Sequence, residues 1–267
     1  MKHILIQLTA GRFCNQLYPL ACALTVFENN KDKYDKIYID RLYFNDRLNP
    51  KLTEVICINK DIYNKIKETN KFNYLYITGN SNFNICTDNN LCFQGYCQNN
   101  KYIDEKIIQK YLSPTDELKQ QIYNLYGDIS DYICLHVRRG DYLYKVNLEL
   151  YQVLTKEYIE RVISKYFPND KIICISDDIK WCKENLSNNS NIIFADKSTD
   201  AIIDFYIQTL TKANIISGST FSTMGVLLNP NPNKICIALE PMYKHKPWNT
   251  NLNICPDYAI REQLNIK

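Results

Sequence analysis

The chain has 267 residues, 45% of them hydrophobic, so it is long enough to form one large domain or two smaller domains with buried cores. Its net charge is only +3 and its sequence pI is about 8.2. Proteins that bind nucleic acid usually show a strong basic bias. The composition therefore argues against a nucleic-acid partner and is compatible with a single, local anionic ligand.

Eleven cysteines are present, and no two of them have the C-x-x-C spacing of a metal or redox site. Several, such as Cys22, Cys134 and Cys174, lie inside apolar runs, which is typical of buried free thiols. Disulfides are the alternative interpretation, and the absence of a visible secretory signal disfavours them.

The N-terminal run MKHILIQLTAG is too short for a transmembrane helix and lacks the small-residue cleavage pattern of a signal peptide. We interpret it as the first strand. We therefore expect a soluble, cytoplasmic protein with no transmembrane segment.

In the first half of the chain, hydrophobic periodicity predicts a few elements around a weakly patterned region. Strand His3–Thr9 precedes a helix whose apolar face includes Leu17, Leu20 and Leu24. No element is assigned between Asn45 and Asn90, where short apolar runs show no sustained period. The other predicted elements are strands Lys36–Asp40 and Leu91–Cys97 and helices Tyr102–Leu112 and Thr115–Tyr126.

The second half alternates apolar strands with amphipathic helices. Strands that are almost entirely apolar are typical of a parallel sheet with helices on both faces. The predicted strands are Tyr132–Val137, Lys171–Ile175, Asn191–Phe194, Asn214–Ser217 and Lys234–Leu239. The predicted helices are Thr155–Phe167, Ile179–Leu186, Thr199–Leu210 and Phe221–Leu228.

Polar segments follow three of these strands at their carboxyl ends, where open α/β sheets bind ligands. They are Arg138 and Arg139, the S-D-D triplet Ser176–Asp178, and the S-G-S-T turn Ser217–Thr220, which opens a helix. A guanidinium binds phosphate oxygens bidentately, and a helix N-terminus attracts anions. Together the segments predict a diphosphate site, with the carboxylates suited to the amino edge of a base or to sugar hydroxyls.

Each segment also has a purely structural interpretation. The arginine pair is compatible with a structural ion pair, and Ser176 or Asp177 with an N-cap of helix Ile179–Leu186. The turn Ser217–Ser222 is compatible with a simple cap, and His136 with a buried core histidine. The functional interpretation depends on all of these segments sharing one edge of the sheet.

The strand-end motifs resemble those of a known enzyme family. HVRRGDY at His136–Tyr142 resembles the H-x-R-R-G-D-Y motif of the inverting alpha-1,2-fucosyltransferases, which are related to the protein O-fucosyltransferases. In the same order, GRFCNQ from Gly11, SDDIKWCK from Ser176 and the segment Ser198–Asn229 resemble the family's other motifs. The resemblance spans nearly the whole chain.

This resemblance implies an α/β fold of the GT-B glycosyltransferase type, with two Rossmann-like halves and a cleft between them. We assign residues 1–128 to an acceptor-side domain and 129–240 to a GDP-sugar-binding domain, and we expect 241–267 to pack back on the N-terminal domain. The resemblance also implies transfer of L-fucose from GDP-L-fucose to a glycan acceptor, with inversion and an alpha-1,2 linkage. No metal or other cofactor is expected.

The resemblance also implies roles for individual residues. Arg138 is expected to neutralise the departing diphosphate, together with the helix start at Thr220, and Asp141 or His136 is the candidate general base. The predicted donor-binding residues are Gly11, Arg12, Asn15, Arg138, Asp177, Asp178, Ser219, Thr220, Phe221 and Ser222.

Two departures from the family pattern leave alternatives open. Cys14 replaces the second glycine of the family's G-R-x-G-N-Q motif. This change favours either a narrower path for the donor or a non-catalytic nucleotide-sugar-binding protein. Thr223 and Met224 replace a Trp-Trp pair, which we expect to remove aromatic surface beside the site. That change favours a different acceptor, or a different GDP-linked 6-deoxyhexose as donor. The sequence does not indicate the acceptor or the oligomeric state.

Overall fold

The computed structural model describes residues 2–7, 13–41, 47, 49–69, 74–78, 89–244 and 254–264. These residues form two compact α/β units. The first contains the described residues up to Thr115 together with Ile254, and the second contains those from Asp116 to Lys244 and from Cys255 onwards.

The first unit is built on a five-stranded parallel sheet with the order β3-β2-β1-β5-β4. The central strand carries Ile4, Leu5 and Ile6, which are completely buried because both faces of the sheet are covered. The strands are β1 (Lys2–Gln7), β2 (Tyr34–Ile39), β3 (Ile56–Ile58), β4 (Tyr74–Thr78) and β5 (Asn90–Gln94). The helices are α1 (Phe13–Glu28), α2 (Pro50–Val55), α3 (Lys60–Thr69) and α4 (Glu105–Leu112).

Local backbone chemistry explains where the predicted ends were wrong. Strand β5 stops at Gln94, short of the predicted Cys97, because Gly95 and Cys97 have positive φ angles of 78° and 47°. Helix α4 begins at Glu105 because the Asp104 carboxylate accepts hydrogen bonds from two backbone amides of its first turn.

The weakly patterned region 45–90 contains α2, β3, α3 and β4, none of which the sequence predicts. Strands β3 and β4 are the two edges of the sheet. An edge strand pairs on one side only and β3 has only three residues, so neither gives a sustained apolar pattern.

The second unit has a six-stranded parallel sheet with the order β11-β10-β9-β6-β7-β8. Every strand and helix predicted after residue 115 is present, with ends shifted by a few residues. The strands are β6 (Ile133–Val137), β7 (Ile172–Ser176), β8 (Ile192–Phe194), β9 (Ala213–Ile216), β10 (Ile235–Leu239) and β11 (Ile260–Glu262). The helices are α5 (Asp116–Tyr126), α6 (Lys145–Leu150), α7 (Lys156–Tyr166), α8 (Ile179–Leu186), α9 (Ala201–Ile207) and α10 (Thr220–Leu228).

The two compact units divide between Thr115 and Asp116, earlier than the boundary placed after residue 128. Helix α5 belongs to the second unit, where it packs on α9 and the Tyr126 hydroxyl accepts a hydrogen bond from the Lys197 amide at 3.1 Å. The C-terminal segment contributes to both units. Ile254 accepts a hydrogen bond from Asn100 in the first unit, and β11 pairs with β10 in the second.

The ten cysteines within the described ranges carry free thiols, and all of them except Cys57 are buried, as predicted. Cys86 lies outside the described residues. None of the described helices combines the length and the apolar content needed to cross a membrane.

Strand β11 is linked to α7 by hydrogen bonds to the carboxylate of Glu262, a residue that is 8% exposed. It accepts hydrogen bonds from Lys165 (2.6 Å), Tyr166 (2.5 Å) and Arg161 (2.8 Å). These three donors lower the pKa of Glu262 from 4.5 to about 2.

We expect Glu262→Gln to lower the free energy of unfolding at pH 7 by about 2 kcal/mol, because two cations lose their counter-charge. A depressed carboxyl pKa stabilises the fold above pH 4.5, and the effect is lost as the pH falls towards 2. Urea unfolding at pH 7 and pH 3 should show a smaller difference between the variant and the parent at pH 3. The control is Glu240→Gln, which removes an exposed ion pair with Arg261 whose N–O distance is 3.7 Å. This variant should lower the free energy of unfolding only slightly. An equal cost for both variants would contradict this role.

Candidate functional site

The three polar segments follow strands that are neighbours in the second sheet. Strand β6 lies between β9 and β7. The strands are parallel, so the residues after Val137, Ser176 and Ile216 emerge at one edge. The Ser176 hydroxyl donates to the Val137 carbonyl at 2.7 Å and ties two of these ends together. The prediction that the segments share one edge is confirmed.

Arg138 is held by two carboxylates. One guanidinium nitrogen, Nη2, pairs with Asp141, and Nη1 pairs with Asp177 at 2.7 Å. The side chain is only 14% exposed. A partly buried guanidinium needs such partners because an unpaired charge loses its hydration on burial. The fork of Arg138 is thus orientated by acidic side chains from two different loops.

Arg139 has a different environment. Its guanidinium lies over the Trp181 ring, 3.8 Å from the centroid, and its Nε donates to Asp178 at 3.2 Å. Stacking of this kind fixes an arginine against helix α8 and leaves it little freedom to follow a ligand. Arg139 therefore braces the loop, whereas Arg138 presents the fork.

The two aspartates of the S-D-D triplet have different roles, since one caps helix α8 and the other holds the arginine loop. Asp178 caps α8 by accepting a hydrogen bond from the Trp181 amide at 3.2 Å, so the interpretation of Ser176 or Asp177 as the cap is wrong. The Asp177 carboxylate instead accepts the Arg139 amide at 2.9 Å as well as Arg138. Asp177 thus organises the arginine loop.

Gly140 is required because the Asp177 carboxylate lies directly against its Cα. A Cβ at this position would be 2.2 Å from Oδ2 and 2.9 Å from Cγ of Asp177. The glycine in the R-R-G-D sequence therefore provides the space in which Asp177 reaches both arginines.

We expect Gly140→Ala to displace Asp177, release Arg138 from one of its partners and lower turnover by about tenfold or more. Initial rates at saturating donor and acceptor would measure it. The control is Gly127→Ala, where a Cβ meets nothing within 4 Å but the backbone has a φ of +77°. That variant should lose stability and keep its turnover. Unchanged turnover in Gly140→Ala would contradict the role of the Asp177 contact.

The S-G-S-T turn after β9 forms the N-terminus of α10. Ser219 is the N-cap, and its hydroxyl accepts the Phe221 amide at 3.2 Å. The Ser222 hydroxyl is completely buried and donates to the Ser217 carbonyl at 2.9 Å. The capping interpretation of the turn is therefore confirmed for Ser219, and Ser222 shapes the turn from inside. Thr220 and Phe221 are partly exposed at the helix start.

His136 lies beneath this turn. The ring is 4% exposed, its Nδ1 is 2.9 Å from the Ser217 hydroxyl, and it packs 5.1 Å from the Phe221 ring. Burial, aided by the charge of Arg138, lowers the pKa of His136 from 6.5 to about 3. The imidazole is therefore neutral at physiological pH, which makes it a weak general base and a good orienting partner for Ser217. Its catalytic role stays a prediction.

Tyr142 connects the arginine loop to the S-G-S-T turn. Its hydroxyl donates to the Gly218 carbonyl at 2.8 Å, and the Arg138 guanidinium lies 5.4 Å from its ring centroid. The sequence analysis did not predict a role for Tyr142, although it closes the H-V-R-R-G-D-Y motif. The available signal was its position at the end of this motif, three residues after Arg139. The contact itself depends on a loop conformation that sequence alone does not define.

Asp204 on α9 is a second residue that the sequence analysis missed. Its Oδ1 is buried without a hydrogen-bond partner. Burial, followed by the charge of Asp200, raises its pKa from 3.8 to about 7. Buried polar atoms nearly always have a hydrogen-bond partner, so this unpaired carboxyl oxygen is a candidate contact for a ligand. A charged residue at an inward-facing helix position was the available signal.

The remaining predicted residues lie in the first unit or at the positions that depart from the family pattern. Gly11 and Arg12 are outside the described residues. Asn15 lies on α1 and accepts a hydrogen bond from the Gln98 side chain at 3.0 Å, so its donor-binding role stays a prediction. Cys14 is 3% exposed.

Thr223 and Met224 are completely buried inside α10. The expectation that their replacement of the Trp-Trp pair removes aromatic surface beside the site stays a prediction. The Thr223 hydroxyl donates to the Ser219 carbonyl at 3.1 Å, one turn earlier in the chain.

Within the described part of the chain, no group of three or more histidine, cysteine, aspartate or glutamate side chains is arranged to hold a metal ion. The Asp141 and Asp177 carboxylates are engaged by Arg138. The cationic fork and the helix start are the groups at this edge that are suited to an anion.

The two α/β units, each built on a parallel sheet, have the fold of the GT-B glycosyltransferases. Solved structures share this fold. The alpha-1,6-fucosyltransferase NodZ, in a crystal soaked with GDP-fucose, matches with a TM-score of 0.56 and 14% identity, covering 92% of this chain and 98% of that one. NodZ from Bradyrhizobium is a fucosyltransferase. POFUT1 in complex with GDP matches with a TM-score of 0.51 and 11% identity over 89% of this chain and 98% of that one.

The sequence identifies the family. The model of glycosyl transferase family 11 matches residues 7–248, so the chain belongs to glycosyl transferase family 11. The Escherichia coli O-antigen biosynthesis glycosyltransferase WbnK is 30% identical over 164 residues, which are 54% of this chain and 54% of WbnK. The match therefore spans about half the length of this curated relative. The family resemblance seen in the sequence motifs is confirmed.

Proposed function

We propose that the protein transfers L-fucose from GDP-L-fucose to a hydroxyl of a glycan acceptor, with inversion and an alpha-1,2 linkage. The observation that carries the proposal is the convergence of the Arg138 fork and the start of α10 on one edge of a sheet, with Tyr142 in contact with both segments. Family membership supports glycosyl transfer. The fold is shared with fucosyltransferases whose crystals contain GDP or GDP-fucose.

The leaving group explains why a cation is needed. When the bond between the sugar and the diphosphate breaks, negative charge grows on the diphosphate, and a group that meets it selectively in the transition state accelerates the reaction. One unit-charge pair at about 4 Å and an effective dielectric near 20 is worth roughly 4 kcal/mol. Arg138 and the amides that open α10 are proposed to supply this stabilisation without a metal ion.

Arg138 must exchange partners to do so. In the structure its charge is balanced by Asp141 and Asp177. A diphosphate that takes the place of Asp141 would keep the fork paired and leave the Asp141 carboxylate available to accept the proton of the acceptor hydroxyl. Asp141 is therefore the preferred candidate for the general base over His136, which is buried and neutral.

The test is incubation with GDP-L-fucose and a panel of glycans in the presence of EDTA, followed by NMR analysis of the linkage and anomeric configuration of the product. An alpha-1,2-linked product formed in EDTA supports the whole proposal. A product with another linkage contradicts the linkage, and activity that requires added magnesium contradicts the metal-independent mechanism.

The donor is tested separately with a panel of GDP-linked sugars and measurement of released GDP. Faster turnover of another GDP-linked 6-deoxyhexose would replace L-fucose in the proposal. Binding of GDP without transfer or donor hydrolysis would identify a non-catalytic nucleotide-sugar-binding protein. The observation that favours this second candidate is Cys14, which replaces a glycine of the family motif and is 3% exposed.

A further inference from the structure

We propose that Tyr142 is a positioning residue that sets the spacing between Arg138 and the S-G-S-T turn, so that one diphosphate can engage both. The inference rests on the proposed function, since it concerns the diphosphate of the donor. The two anion-binding elements lie on separate loops, after β6 and after β9, and a ligand with two phosphate groups needs both at a fixed distance.

The hydroxyl of Tyr142 holds the turn. It donates to the Gly218 carbonyl at 2.8 Å, and Gly218 lies directly before Ser219, the N-cap of α10. The position of this peptide therefore affects where the first amides of α10 point. Burial raises the pKa of the Tyr142 hydroxyl far above its ordinary value, so the group remains a donor throughout the physiological range.

The ring of Tyr142 is itself fixed. It stacks on Tyr151 with a centroid distance of 4.1 Å and an interplanar angle of 13°, and Tyr151 in turn contacts the Tyr243 ring at 5.2 Å. Stacked rings of this kind have little freedom to slide. The Arg138 guanidinium also lies over this ring, 5.4 Å from its centroid.

The segment that carries Tyr243 packs against the S-G-S-T turn. A Cβ on Gly218 would lie 3.1 Å from the Met242 Cβ, so the turn packs tightly against this segment. The Gln152 amide donates to the Met242 carbonyl at 3.2 Å, and the Lys244 amide to the Leu150 carbonyl at 2.8 Å. The arginine loop and the turn thus share a common support, and the Tyr142 hydrogen bond joins them on the ligand side.

The experiment compares Tyr142→Phe with Tyr158→Phe by calorimetric titration with GDP and GMP. Tyr158 is the matched control because its buried hydroxyl has no hydrogen-bond partner. In Tyr142→Phe we expect the Kd for GDP to rise about tenfold, equivalent to about 1.4 kcal/mol, as for a lost buried hydrogen bond. The Kd for GMP, which has one phosphate, should change much less. The KM for the donor should rise with the Kd for GDP, and the KM for the acceptor should not change.

A second variant, Gly218→Ala, should push the same turn away from Met242 and reproduce the selective loss of GDP affinity. If Tyr142→Phe does not fold, the positioning role is tested with this variant instead. Unchanged GDP affinity in the folded variants, or equal losses for GDP and GMP, would overturn the positioning role. If the parent protein binds GDP and transfers fucose while Tyr142→Phe does so equally well, this inference alone fails. If the parent protein does not bind GDP, the proposed donor fails and the inference falls with it.

Discussion

Replacing Arg138 by lysine is expected to lower turnover at least about a hundredfold while leaving the protein folded. Lysine retains the positive charge but has a single ammonium group, which lacks the planar fork that reaches Asp141 and Asp177 from two nitrogens. If about 3 kcal/mol of charge stabilisation in the transition state is lost, the rate falls by roughly two orders of magnitude. Steady-state kinetics with GDP-L-fucose would show the loss in the turnover number.

Arg161→Lys is the matched control for this substitution. Arg161 also pairs with a carboxylate in the second unit, at 2.8 Å from Glu262, and its contacts with Glu262 and the Gln263 carbonyl involve neither Arg138 nor the S-G-S-T turn. We expect this variant to keep its turnover and to lose some stability. Near-normal turnover in Arg138→Lys would remove Arg138 from the proposed mechanism.

The second large effect is a gain in stability. Asp204→Asn is expected to raise the free energy of unfolding at pH 8 by about 3 kcal/mol, because it replaces a carboxylate that is costly to bury by a neutral amide of similar shape. The folded pKa of Asp204 is about 7, against 3.8 as the ordinary value. A raised carboxyl pKa means that the parent loses stability as the pH rises from about 4 to about 7, after which the cost is constant.

Denaturant unfolding between pH 5 and pH 8 would measure this. The difference between Asp204→Asn and the parent at pH 5 should be less than half of that at pH 8, where it is largest, and its sign is the reverse of that expected for Glu262→Gln. A parallel pH dependence in the variant and the parent would show that Asp204 does not titrate in this range. A gain in stability accompanied by a loss of GDP affinity would show that the unpaired carboxyl oxygen serves a ligand.

The extent to which the fold was predictable differs between the two units. Strands such as Ile133–Val137 and Ile172–Ser176 are buried on both faces, so their apolar runs are unbroken and their existence follows from the sequence. In region 45–90 the strands are sheet edges, and half of the ten residues of helix α3 are charged, so only Ile62, Tyr63 and Ile66 mark its apolar face. Tertiary pairing, which the sequence does not display, decides their structure.

The site shows the same division. That Arg138, Asp177 and Ser219 meet at one edge follows from the rule that parallel strands end together. The choice of Asp178 over Asp177 as the helix cap, and the reach of Tyr142 to Gly218, depend on loop torsions and on space left by Gly140. Such details follow from packing across the edge, for which no local sequence rule exists.

The double pairing of Arg138 has a consequence for discrimination among anions. Any incoming ion must compete with two carboxylates that are already in place, so a simple ion such as inorganic phosphate or sulfate gains little by exchanging one oxyanion for another. A larger ligand can also bind the backbone amides at the start of α10, and these hydrogen bonds offset the cost of competing with the carboxylates. If the fork binds the donor diphosphate as proposed, its acidic neighbours should therefore favour extended pyrophosphate compounds over small anions.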